Sequence, residues 1–246
     1  MKKILTLIAA LMLCASMAMA QGVGLYIGTD CNPLQVQSTT NACTSNTGTA
    51  IATFGTAIIP PSGKTQFVGE ISIIDIQTSL ASIPDWWRAD ICRAAGFSLA
   101  TDAGIGGSNC AATLWDAAVP AGNNVGFTTT SGGARARFLL GAVLYPQDVY
   151  DLTGDGTTEL AVFKFNVLRA KSVGTGACAG CAQGACIVLN EVQLQGQSDA
   201  SESAYLRLTT PIAGHNYITY NAGAPACAGS TPTQNRTWGS VKALYR

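Results

Sequence analysis

The sequence predicts an all-β, Ig-like antiparallel sandwich that is exported and stapled by disulfides. Three observations predict it. Short apolar or alternating runs recur between polar turns, the pattern of a sandwich or barrel. Eight cysteines remain once a removable N-terminal segment is set aside, an even number that suits an oxidising compartment. Charged residues are only 11% of the chain, about half the usual share, while glycine reaches 27 residues.

The removable segment comes first. Lys2 and Lys3 precede an apolar run over residues 4–13, and Ala18 and Ala20 put small residues before Gln21. Residues 1–20 therefore read as a secretory signal peptide. The run is shorter than the roughly 20 residues a membrane span needs, and no later stretch is apolar for longer, so no span is expected. Cys14 lacks the small residue immediately upstream that lipidation would require. Without Lys2 and Lys3, twelve basic residues stand against 14 acidic ones, a net charge of −2. That balance leaves no electrostatic footprint for nucleic acid. The expected location is secreted, periplasmic or on a bacterial cell surface.

Element by element, residues 23–27 alternate as an opening strand, and a cysteine-bounded loop follows. Residues 50–59 form the next strand, ended by Pro60 and Pro61. Residues 65–76 carry Phe67, Val68, Ile71, Ile73, Ile74 and Ile76. Residues 79–95 read as a helical or irregular excursion centred on Pro84-Asp85-Trp86-Trp87, with Asp85 placed to cap a helical turn. Further strands are expected over 123–130, 135–145, 160–169, 186–195 and 204–209. The cleanest holds Ala161, Phe163, Phe165 and Val167 at a two-residue period. No linker forces a boundary before residue 222, so residues 21–228 are expected to form one domain. Residues 229–246 read as a linker and a basic amphipathic tail, with Trp238, Val241 and Leu244 on one side. That tail is either a sorting or docking segment or a helix packed on the sandwich.

Cys31, Cys43, Cys92, Cys110, Cys178, Cys181, Cys186 and Cys227 read as up to four disulfides. Cys31–Cys43 and Cys92–Cys110 each bracket a turn-rich loop and are the expected local pairs, leaving the last four to pair among themselves. Cys178-Ala-Gly-Cys181 with Cys186 also has the spacing of half a zinc knuckle or a redox pair. The single histidine, His215, and the lack of a βαβ context weigh against both.

Asp155-Gly156, the strand ending Phe163-Lys-Phe165-Asn-Val167, and the later strand Ile187-Val-Leu-Asn-Glu-Val-Gln-Leu194 together resemble the paired strands of cohesin-type and carbohydrate-binding-module-type β-sandwiches. The resemblance covers residues 140–195 and the opening strand. It implies a cohesin-like sandwich and not an activity. The many cysteines and the Pro-Asp-Trp-Trp-Arg insertion depart from ordinary cohesins, so dockerin recognition is not carried over. The whole chain, including the ending Thr237-Trp-Gly-Ser-Val-Lys-Ala-Leu-Tyr-Arg246, also resembles secreted proteins of environmental bacteria.

Several constellations could carry chemistry. Asp151, Asp155 and Glu159 occupy positions 1, 5 and 9 of a calcium-loop pattern with Gly156 at position 6, but position 12 is Val162. A glycine-rich β-turn is the simpler reading and a weak calcium site the alternative; no other cofactor is expected. Trp86 and Trp87, with Arg88 beside them, are the best candidates for a binding surface, since exposed aromatics stack on sugars and anchor proteins. Neighbours on one element face opposite ways, so one Trp should be core, and burial of both is the simpler reading because aromatics dominate cores. His215 lacks a nucleophile motif around it. Paired carboxylates, such as Asp148 with Asp151 or Glu159, would suit a glycosidase. The leading expectation is a non-catalytic binding or structural module with a glycan or extracellular protein partner, or self-association through an edge strand. A carbohydrate-active hydrolase is the alternative.

Overall fold

The computed structural model describes residues 21–28, 37–101, 105, 110, 112–221 and 227. These residues build an all-β sandwich of two sheets, of the general kind the sequence predicts. The smaller sheet runs β1 (Gly22–Ile27), β3 (Thr49–Ile58), β10 (Glu159–Leu168), β5 (Phe97–Ala100), and β6 (Ala112–Thr113) pairs with β10. The larger runs β2 (Ser38–Thr39), β13 (Tyr217–Tyr220), β11 (Ala185–Gly196), β4 (Lys64–Thr78), β8 (Arg135–Val143), β7 (Gly122–Thr130). Two short strands, β12 (Leu206–Leu208) and β9 (Tyr150–Leu152), join β11 and β4. Pairing is antiparallel except for β2 on β13 and β6 on β10.

Alternation builds the core. In β8, Ala136, Phe138, Leu140 and Ala142 are buried while Arg135, Leu139 and Val143 are exposed. In β10, Phe163, Phe165 and Val167 point inward. The sheets meet where Phe138 of β8 lies 5.3 Å from Phe165 of β10 and 4.6 Å from Phe97 of β5, centroid to centroid. Gly55 of β3 is needed there, because a Cβ would collide with the ring of Phe163 opposite it.

The expected strands are present with ends shifted by a few residues. The one expected over 204–209 shrinks to β12 because Glu202–Ala204 is a 3₁₀ turn. The short β2, β5, β6, β9 and β13 were not foreseen. The 79–95 excursion carries one 3₁₀ turn, Asp85–Trp87. Asp85 does not cap it: Pro84 holds the N-cap position, with no side-chain cap bond.

The disulfides correct both local pairings. Cys43 joins Cys181 across 138 residues, and Cys92 joins Cys178 across 86. Cys178 and Cys181 sit in one loop after β10, and each clamps a different excursion onto it. Cys186–Cys227 closes a third bridge. Cys110 is also disulfide-bonded. Cys31, the signal peptide and the tail after residue 228 lie outside the described residues. With Cys178 and Cys181 both bridged, neither is a thiolate for zinc or exchange.

Candidate functional site

Trp86 and Trp87 are not a binding surface. Both are 0% exposed. The turn that carries them is enclosed on both flanks, so adjacent side chains are buried together instead of one facing solvent. The two rings meet edge to face at 4.7 Å, and Tyr220 of β13 stacks on Trp86 at 5.8 Å. Trp86 donates its backbone N–H to Ala179 and its indole N–H to Ser172 Oγ at 3.0 Å. Arg93, missed in the sequence, lies buried with its guanidinium 3.9 Å over the Trp86 ring and donates to the carbonyls of Trp86, Gly96 and Leu168. Burial pulls its pKa down to about 10, so it stays charged at neutral pH. Arg88 pairs with Asp90 at the surface (Nη2–Oδ2 2.8 Å).

The calcium pattern does not converge either. Asp155 accepts from the hydroxyl and N–H of Thr158 and the N–H of Thr157, which hold it far below the usual carboxylate range. This is an Asx-type turn leading into β10. Asp151, on the larger sheet, accepts from the N–H of Gln66 at 2.8 Å. Glu159, on the smaller sheet, accepts from Thr56 Oγ1 beside the buried Tyr26. Among the described residues no three His, Cys, Asp or Glu side chains are grouped to hold a metal. Asp148 lines an open hollow of about 520 Å³ with Asp116, but both Asp116 oxygens are occupied by Thr113. His215 stacks on Tyr26 at 6.0 Å.

The surface that stands out is the outer face of the larger sheet. It originates in a parity switch within β4. Phe67 and Ile74 both point into the core though seven residues apart, because the register slips between Phe67 and Gly69 opposite Gly196 and Gln195. Everything from Gly69 onward is turned over: Glu70, Ser72, Ile74 and Ile76 face inward, and Ile71 and Ile73 face out. A second slip at Asn190 keeps β11 in step, so that Glu191, Gln193 and Gln195 share that outer face.

Cross-strand pairing then assembles a trough. Ile71 lies opposite Gly141 and Ile73 opposite Leu139, while Asn124, Gly126 and Gly122 of β7 lie opposite Gly141, Leu139 and Val143. Leu139 is 41% exposed and Val143 52%. Two adjoining hollows of about 390 and 520 Å³ share Ile71, Asn124 and Gly141. Ion pairs border the strip: Asp75 with Arg137, bidentate at 2.7 Å, and Glu191 with Arg207. The Asp75 hydrogen bonds raise the Arg137 pKa above its ordinary value.

Among the described residues, no steric contact requires glycine on the trough floor. Gly122, Gly126 and Gly141 all lack a positive φ. A Cβ on Gly122 would meet nothing within 4 Å, one on Gly141 only the Glu70 carbonyl at 3.8 Å, and one on Gly126 the Leu139 side chain in ordinary contact at 3.4 Å. Strand glycine is unfavourable by about 0.5–1 kcal/mol against alanine, and its usual rationale is close approach from outside. Directly beneath, the Glu70 carboxyl is 1% exposed, accepts one bond from Ser72, and is pushed up to about 8 by burial. The sequence signal for the trough was Gly141 between Leu139 and Val143, but which face they shared depended on the β4 slip.

No protein-family model and no curated protein matches this chain. Among solved structures, it is similar to the second type II cohesin module from the cellulosomal adaptor ScaA scaffoldin of Acetivibrio cellulolyticus, over 85% of this chain and 100% of that one, at 13% identity and a TM-score of 0.34. The fold and its bridges define a disulfide-stapled all-β sandwich.

Proposed function

We propose that this chain is a non-catalytic extracellular or periplasmic module whose outer large-sheet face docks an extended segment of another protein. The glycine-floored apolar trough over β4, β8 and β7 carries the reading. Its floor admits another backbone, Ile71, Ile73, Leu139 and Val143 supply apolar contact, and Gln195 and Asn124 supply amide donors and acceptors at the rim. A protein segment suits this lining better than a sugar, because no aromatic ring lines either hollow to stack on a pyranose. The disulfides support an oxidising location, and among the described residues no helix is long and apolar enough to cross a membrane.

The test is a photo-crosslinking residue at Val143, compared with one at Ile91, which is 62% exposed on the disulfide-clamped excursion. In the native extracellular milieu, a discrete protein adduct is expected from position 143, lost on adding Leu139→Glu, with none from 91. Equal labelling from both positions would remove the trough as a site. A glycan-array signal abolished by Leu139→Glu would replace the protein partner with a sugar. Glycan hydrolysis abolished by Asp148→Asn would restore the enzyme alternative.

A further inference from the structure

β7 is the last strand of the larger sheet, and among the described residues no strand pairs with its outer edge. It pairs with β8 without a register slip from Gly122 to Thr130, and among the described strands it has no second partner. It is nine residues long, and none of them is buried. It contains no proline and no charge. The other edges differ. β2 has two residues and β5 four, and the free side of β1 is taken up by backbone bonds of Val23 with Thr210 and Ile212 and of Leu25 with His215. Natural edges are blunted by lysine, proline, bulges, shortness or cover; β7 has none of the first four, and its Asn123 amide donates to Thr101 Oγ1 at 3.4 Å on the inner side.

We propose that β7 pairs antiparallel with β7 of a second copy of this chain, about a two-fold axis at Gly126. The strand is complementary to its own reverse in that register. Val125 would face Phe127 of the second copy on the inner side, continuing the Phe127–Phe138 contact at 5.2 Å. Asn124 would meet Thr128 on the outer side, Asn123 would meet Thr129, and Gly122 would meet Thr130. Each is an aromatic–β-branched, amide–hydroxyl or small–β-branched pair, and no like charges oppose. A foreign strand would need to bring the same pattern, whereas a second copy has it already. Gly126 would face Gly126 with no Cβ between, so the two troughs join into one face across the axis. An isologous contact of this kind closes at two copies. The proposal stands on the edge, and it holds or fails independently of what docks on the face.

The full oxidised chain is examined by light scattering and sedimentation over its accessible concentration range. A concentration-dependent dimer is expected. Asn124→Lys with Thr128→Lys sets lysines against each other across the axis and is expected to give a monomer with an unchanged cooperative melt. Because that pair could unfold the strand, Gly126→Cys provides a second reading: it should form an intermolecular disulfide on mild oxidation, and Thr130→Cys, whose counterpart is Gly122, should not. A strict monomer at every concentration, a dimer indifferent to the lysines, an open filament, or equal crosslinking at 126 and 130 would each overturn the proposal.

Discussion

Two regions of this molecule hold apolar side chains outside the simple strand alternation, and they are treated in opposite ways. The excursion around Trp86 and Trp87 is closed by Cys92–Cys178, by the Arg93 guanidinium over Trp86 and by Tyr220 beneath. The strip of Ile71, Ile73, Leu139 and Val143 is left uncovered among the described residues and is floored with glycine. Size and hydrophobicity do not distinguish the two. What does is whether the described residues supply a lid, and the difference separates side chains that work for the fold from side chains that face outward.

The largest expected effect tests that division directly. Trp87→Ala should cost about 3–5 kcal/mol, the range for deleting a fully buried large side chain, whereas Leu139→Ala should stay within about 0.5 kcal/mol. Denaturant unfolding with the disulfides intact measures both. A Leu139→Ala cost close to that of Trp87→Ala would mean the strip is packed, and the comparison would break.

Glu70 lies between the two regimes, with its backbone under the trough and its carboxyl in the core. Its pKa is raised by burial from 4.5 to about 8, against the pull of the Ser72 hydroxyl. The folded state thus holds a proton that the unfolded chain releases. The associated stability is fully present below about pH 4.5 and is lost as pH rises through 8. At about 1.4 kcal/mol per pKa unit, the total is a few kcal/mol and no more than about 5. Glu70→Gln should flatten this slope, leaving the variant more stable than wild type above pH 8. Melting across the pH range decides it: parallel curves for the two proteins would show that Glu70 titrates normally.

Much of the sandwich was legible because a two-residue period survives wherever one face is buried, as in Arg135–Val143 and Glu159–Leu168. The trough was not, because one slip near Val68 reverses the faces of everything after it. An unbroken period from Phe67 would have placed Ile71 and Ile73 inside and Glu70 outside. The disulfides were illegible for a related reason. Cys43–Cys181 and Cys92–Cys178 close over 138 and 86 residues, so spatial neighbours made by the fold override nearness in sequence. Trp86 and Trp87 were the best surface candidates only because a sequence gives a ring's size and not its surroundings; burial of both, the simpler reading, is what the structure shows. Arg93 gave no signal, since a lone arginine is usually solvated.

The smallest effect sharpens the comparison most, because it sets glycine against glycine. Gly55 and Gly141 are both strand residues without a positive φ. At Gly55 a methyl would strike the Phe163 ring, so Gly55→Ala should destabilise the fold. At Gly141 it would enter open space above the sheet, with only the Glu70 carbonyl at 3.8 Å. Gly141→Ala should therefore raise stability by about 0.5–1 kcal/mol, the ordinary gain on removing a strand glycine, while weakening whatever occupies the trough. Differential scanning calorimetry of the two variants separates the cases. Opposite signs would show that Gly141 lowers stability with no internal contact to justify it, which is how a surface shaped for an outside partner behaves. If both destabilise, the glycine floor belongs to the packing of the sheet.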